Sequence, residues 1–185
     1  MLLDAGVDAT GMEYRPDLDA PGTGPLRDYP EIVIEMTPEP VVLPFETDSF
    51  DCALSCGVLE HVEDPDGSLD ELRRVLRPGG TLYVYKLPNR FSYLEWIARR
   101  LGLRHHGCRP HDRVYRKATA LDLLGRHGFD VREFRRTNLL PLTVRTRSFQ
   151  RHGEGWWKLN RALARIPLLN LLATNLELIT VSDRR

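Results

Sequence analysis

Side chains able to do chemistry gather at three places in this sequence. The stretch "SCGVLEH" (55–61) sets Ser55, Cys56 and Gly57 side by side and closes on His61. Small residues let a backbone approach a ligand closely, and an imidazole is a ready general base near neutral pH. The stretch "VDATGMEYRP" (7–16) reads as a strand ending in an acid, Glu13, followed by a turn. A second acid, Glu39, stands between two prolines in an acid-rich region. The third place, "RHHGCRPH" (104–111), gathers three histidines and Cys108. Its spacing fits no standard zinc pattern, so it reads as a loop over a substrate pocket rather than a metal site, with His111 a second candidate base.

The elements that would position these groups follow from pattern. A short apolar strand, "FDCALS" (50–55), delivers Ser55 to a strand end. The next segment, "DPDGSLDELRRVLRPGG" (64–80), puts Leu69, Leu72, Val75 and Leu76 on one helical face and predicts a stop at Pro78-Gly79-Gly80. Further strands are expected over 7–13, 31–36, 81–87, 129–134 and 176–183, and helices over 93–101 and 118–127, the latter capped by Gly128. Residues 1–5 read as the tail of a helix capped by Gly6, 17–30 as a loop or broken helix, and 159–172 as two short helices broken at Pro167. The Arg-rich segment 137–155 gives no clear pattern. Strands alternating with helices imply a doubly wound α/β fold, largely parallel, closed by a C-terminal antiparallel strand.

Totals bound the rest. A chain of 185 residues is one domain by length, with a cofactor-fold core over 7–135 and a cap and last strand over 136–185. No stretch approaches the ~20 apolar residues of a membrane helix, and there is no secretion-signal pattern. Three cysteines in a sparse set point to a reducing cytoplasm. The net charge of zero hides a split: residues 1–72 carry 18 acids and 2 bases, and residues 73–185 carry 8 acids and 24 bases. The halves are expected to neutralise each other when packed, and no nucleic-acid-binding signature accompanies the basic half.

At "LPFETDSFDCALSCGVLEHVEDPDGSLDELRRVLRPGGTLYVYKLPNR" (43–90) the sequence strongly resembles class I S-adenosylmethionine-dependent methyltransferases, in the branch of the ubiquinone and menaquinone C-methyltransferases. The likeness rests on Leu43-Pro44-Phe45, Ser49-Phe50-Asp51, Val58-Leu59-Glu60-His61 and Arg74-Val75-Leu76-Arg77-Pro78-Gly79-Gly80, in order and correctly spaced. A second block, "HDRVYRKATALDLLGRHGFDV" (111–131), resembles the family's later helix and strand. The resemblance implies a Rossmann-like fold and S-adenosylmethionine as cofactor. It places Glu13 on the ribose hydroxyls, Glu39 on the adenine amine, and Ser55, Cys56 and Gly57 at the binding edge. Asp51 is expected to open a buried strand leading there, and His61 either to line the pocket as a base or to pack under the following loop.

The same resemblance expects a glycine-rich loop after a first strand, about twenty residues before Glu13. This chain would begin after that loop, lacking the first strand and helix. That absence would leave two strand edges facing a gap, unless the flanking strands pair directly. Alternatively "LLDAG" (2–6) is the first half of the motif, with Asp4 and Gly6 matching, Gly11 a displaced loop glycine, and Glu35 or Glu39 the ribose acid. The "GTG" at 22–24 is no substitute.

The basic stretch of Arg132, Arg135, Arg136, Arg145, Arg147 and Arg151 beside Trp156 and Trp157 suits an anionic or lipid-like acceptor or a peripheral membrane contact. Against this stands a plain reading, a solvated face with tryptophans in the core. "IPLLNLLA" (166–173) reads as core. The functional expectation is methyl transfer to a small-molecule or lipid-like acceptor. The rival is a degenerate methyltransferase-like module that binds a partner and catalyses nothing.

Overall fold

The computed structural model describes residues 6–14, 33–39, 41–103, 111–140 and 147–183. β-Branched and apolar runs become β1 (Thr10–Tyr14), β2 (Val33–Thr37) and β3 (Phe50–Cys56). The first helix, α1 (Pro65–Val75), starts where its sequence dictates. The Asp64 side chain accepts a hydrogen bond from the Gly67 N–H at 2.9 Å, and Pro65 occupies the first turn, where its missing N–H costs nothing. Leu69 and Val75 are buried on its apolar stripe. The helix ends at Val75, short of the Pro-Gly-Gly stop, because Leu76 already pairs with Phe50 as the first residue of β4 (Leu76–Pro88). Arg77 to Gly80 then bulge out of the pairing, and register resumes with Cys52 opposite Thr81. Both glycines of the bulge are required. Gly79 takes φ +76°, and a Cβ on Gly80 would stand 2.8 Å from the Arg77 carbonyl oxygen.

The chain continues through α2 (Tyr93–Arg100), α3 (Lys117–Arg126), β5 (Phe129–Thr137), α4 (Arg147–Leu163), a 3₁₀ turn (Leu169–Leu172) and β6 (Asn175–Ser182). Four strands form a sheet in the order β3-β4-β6-β5. β3 and β4 are parallel, and β6 runs antiparallel to both of its neighbours, so β3, β4 and β5 point the same way. This is the Rossmann-like α/β arrangement with its antiparallel last strand. The core lies on this sheet: Leu82, Val84 and Leu87 of β4, Leu176 and Leu178 of β6 and Phe129 of β5 pack with Leu69 of α1 and Leu124 of α3.

Among the described residues β1 and β2 pair in parallel only with each other, as a separate two-stranded sheet. Direct pairing of β1 with β3, the way the gap was to be avoided, is not seen among the described residues. Residues 1–5 and 15–32, which hold Asp4 and the 17–30 loop, lie outside the described residues. Gly6 takes φ +72°, while the helix it was expected to cap lies in residues 1–5, outside the described residues.

Three expectations about burial and boundaries are corrected. β3 is not a buried strand: as an edge of its sheet it leaves Leu54 half exposed and Asp51 out in solvent against Arg77. Residues 166–173 are not core; Leu168 is 79% exposed and only Ala173 is fully buried. Trp156 and Trp157 are exposed, on a helix that starts at residue 147 inside the segment without a clear pattern. The predicted charge compensation does operate: Asp66 meets Arg126 at 3.2 Å, Glu71 meets Arg74 at 2.7 Å, and His127 sits against Asp66 and Asp70. Among the described residues no helix is long and apolar enough to cross a membrane.

Candidate active site

Parallel β3, β4 and β5 bring their carboxyl ends to one edge of the sheet, where open α/β folds take their ligands. β3 arrives there with Ser55, 7% exposed, and Cys56, exposed and unpaired, opposite Tyr85. The Gly57 N–H still donates to the Tyr85 carbonyl at 3.0 Å, but Gly57 itself turns to φ +69°. A side chain there would be strained by the backbone and would stand 3.7 Å from a Glu60 carboxylate oxygen. Gly57 is therefore a conformational requirement at the strand end.

Across from it Lys86 holds φ +60°, in a register shift of β4 against β6 between Val84 and Leu87. A lysine in the left-handed region is uncommon, and bulges of this kind concentrate beside functional sites. The aliphatic Cδ of Lys86 lies 4.0 Å from where a Gly57 Cβ would be. No pattern in "YVYKLP" signals this conformation.

After Gly57 the chain turns through Leu59, Glu60 and His61. The strand-free segment 111–115 crosses this turn and the end of β4. The Arg113 N–H donates to the Glu60 carbonyl at 2.9 Å, and the Tyr115 N–H donates to the Pro88 carbonyl at 2.8 Å. The Arg113 guanidinium donates to the carbonyls of Val62 and Glu63, fixing the crossing from the other side. This stitching sets Asp112 against His61, with Nδ1 and the carboxylate 2.8 Å apart. The Asp112 side chain is only 6% exposed and that of His61 is 41% exposed. A carboxylate can only accept, so Nδ1 carries the proton and Nε2 of the neutral ring is left as the acceptor. Glu60 lies 3.8 Å from that nitrogen, beyond hydrogen-bond distance. The pair has the form of a general base held in one tautomer. Tyr115 lies buried behind it, and burial pushes its phenol up to about 12.

The other candidate residues lie where the strands put them. Glu13 is half-buried in β1, one residue before its carboxyl end. Glu39 is exposed in the bend after β2, its N–H donating to Thr37 Oγ1 at 3.1 Å. Gly11 is no loop glycine: it lies inside β1 opposite Ile34, where a Cβ would meet the Ile34 side chain at 3.3 Å. Glu35 sits likewise in mid-strand, opposite Met12. His111 is an exposed turn residue, and its neighbour Asp112 is the one that reaches His61. Residues 104–110 lie outside the described residues. Asp112 was missed because 51 positions separate it from its partner, and only the chain crossing joins them.

Comparison with known proteins points the same way. Residues 2–84 match the family described as a methyltransferase domain. An uncharacterized methyltransferase of Mycobacterium tuberculosis is 34% identical over 121 residues, covering 62% of this chain and 44% of the relative. The chain thus spans less than half of that relative's length. Among solved structures, a Thermotoga maritima S-adenosylmethionine-dependent methyltransferase, described as a possible histamine N-methyltransferase, superposes with a TM-score of 0.60 at 16% identity, covering 99% of this chain and 76% of that one. A Burkholderia thailandensis 1,6-didemethyltoxoflavin-N1-methyltransferase, solved with that compound and S-adenosylhomocysteine bound, gives a TM-score of 0.57 at 15% identity, covering 98% of this chain and 64% of that one.

Proposed function

We propose that this chain, whose residues 2–84 match a methyltransferase domain and whose fold is that of S-adenosylmethionine-dependent methyltransferases, transfers a methyl group from S-adenosylmethionine to a small-molecule or lipid-like acceptor. The observation that carries the reading is the His61–Asp112 pair at the strand edge opened by Gly57. The residues present fit the cofactor: Gly57 leaves the end of β3 free of a side chain, and Glu13 offers a half-buried carboxylate near the end of β1. In this reading Glu13 holds the ribose hydroxyls, Glu39 the adenine amine, and the Ser55–Cys56–Gly57 backbone the close approach. When bound, the cofactor supplies a methyl group on a sulfonium that is already an activated electrophile.

The protein's own work is then alignment and proton removal. His61 Nε2 takes the proton that a hydroxyl, amine or acidic carbon gives up, and Asp112 holds the ring and stabilises the imidazolium that results. The narrower likeness to the ubiquinone and menaquinone branch is supported by the 43–90 sequence block.

A non-catalytic module is the second reading, favoured by the separation of β1–β2 from the main sheet. Calorimetric titration with S-adenosylhomocysteine separates the two. Micromolar binding, weakened by Glu13→Ala and unchanged in His61→Asn, is the expected result; a folded chain giving no binding overturns the methyltransferase reading.

A further inference from the structure

A cleft of about 530 Å³ opens at the same sheet edge, between the end of β5 and the last turns of α4. Four arginines line it: Arg135 and Arg136 from β5, and Arg161 and Arg165 from α4 or just beyond it. Arg135 is paired with Glu133 at 2.5 Å. Arg136, Arg161 and Arg165 have no carboxylate partner among the described residues. The one acid in the lining, Glu177, accepts a hydrogen bond from Thr137 at 2.8 Å. Three unpaired guanidiniums facing one carboxylate leave a surplus of about two positive charges, which suits a phosphate monoester (about −2 at neutral pH) better than a single carboxylate.

Two details make this a built site rather than a solvated face. The Arg136 Nε is buried with no hydrogen-bond partner, while its guanidinium lies 5.1 Å over the Phe134 ring. That nitrogen is closed to solvent, so a ligand oxygen would meet the terminal nitrogens of the same guanidinium, which the ring holds in place. Arg161 stacks over Trp157 at 5.4 Å, so an exposed indole face borders the cation cluster. The wall is also rigidly set: Asn160, 4% exposed, accepts from the Leu139 and Leu140 N–H groups at 2.7 and 3.1 Å and donates to Asn138 at 3.1 Å, which ties α4 to the end of β5.

We infer that this cleft binds the phosphate group of an organic phosphate monoester whose apolar or aromatic part lies along Trp157. Resting on the methyltransferase reading, the ester is the acceptor itself. β5 is three strand spacings from β3, so the phosphate would sit about 14 Å across the sheet from the His61 end. The acceptor is accordingly elongated, with its anion at one end and its methylated atom at the other.

The test is calorimetric titration with 1-naphthyl phosphate, with 1-naphthol and inorganic phosphate as controls. Expected is saturable binding of 1-naphthyl phosphate, at least tenfold tighter than either control and at least tenfold weaker in Arg161→Gln/Arg165→Gln, whose side chains are exposed and whose loss spares the fold. Arg136→Gln, checked for folding by its melting curve, should weaken it equally. Binding that is absent, or indifferent to these variants, overturns the proposal. Sedimentation with vesicles containing phosphatidic acid distinguishes the source: vesicle binding without binding of the soluble ester overturns the small-acceptor form. Titration with S-adenosylhomocysteine is read separately, so loss of cofactor binding with retained ester binding removes the methyltransferase reading and leaves the anion site standing.

Discussion

The four-stranded sheet and the β1–β2 pair carry opposite amounts of buried surface. Every residue of the hydrophobic core comes from β3 onward, with Leu76, Leu82, Leu176 and Leu178 fully buried. Among the residues whose burial is described, the β1–β2 pair contributes none of it and exposes Met12, Tyr14 and Val33. Yet both acids assigned to the cofactor, Glu13 and Glu39, lie on or just after this thin pair. Buried surface is thus concentrated in one region, and the acids proposed for the cofactor lie in the other. The candidate base bridges the contrast: His61 stands on a turn from the well-packed sheet, and Asp112 is pinned to that turn by backbone hydrogen bonds.

The sharpest way to break this comparison is truncation in the main sheet. Leu178→Ala, at the centre of β6, is expected to cost about 2–5 kcal/mol, read from urea unfolding. A middle-sized effect is expected at His127, which joins the end of α3 to α1 through Asp66 and Asp70 at 2.8 and 2.6 Å. Burial opposes its protonation, but the hydrogen bonds it donates to Asp70 and Asp66 outweigh burial and raise its pKa. The histidine is then more easily protonated folded than unfolded, so its stabilising contribution is complete below the ordinary imidazole value of about 6.5 and is lost as pH rises through the raised one. Asp66 is held below the usual carboxylate range, chiefly by its hydrogen bond with His127, so its share fades as the solution becomes strongly acidic. Melting temperature should therefore fall from pH 6 toward pH 9, and His127→Asn should flatten that slope. The smallest effect belongs to the thin pair. Met12→Lys, at a position 40% exposed, should change stability by no more than about 0.5 kcal/mol in the same urea assay, and a loss as large as that of Leu178→Ala would erase the contrast between the regions.

The main sheet was largely legible because its signals are local. The stripe Leu69, Leu72, Val75 and Leu76 announces α1, and the alternation of "TLYVYKL" announces β4. The end of α1 was misplaced by three residues because a tertiary pairing, Leu76 with Phe50, overrode the local Pro-Gly-Gly stop. Only the last turn of α4 was read, within the first of two short helices expected over 159–172; its start was missed because Gly153 and Gly155 weaken the helical signal. In the site, residues at the end of β3 could be placed from the strand pattern alone. Asp112 and the left-handed Lys86 could not, since one depends on a chain crossing and the other on a register shift. The basic stretch was seen only in part. Arg132 turns to Asp130 at 3.1 Å, while Arg161 and Arg165, well beyond it in sequence, complete the cleft.

The most direct test of the central claim is amide hydrogen exchange with and without saturating S-adenosylhomocysteine. The account predicts slowed exchange in 10–14 and 33–37, and in 55–61, while the centres of β4 and β6, already protected by burial, change little. Unchanged exchange in both the thin pair and the 55–61 turn would contradict it.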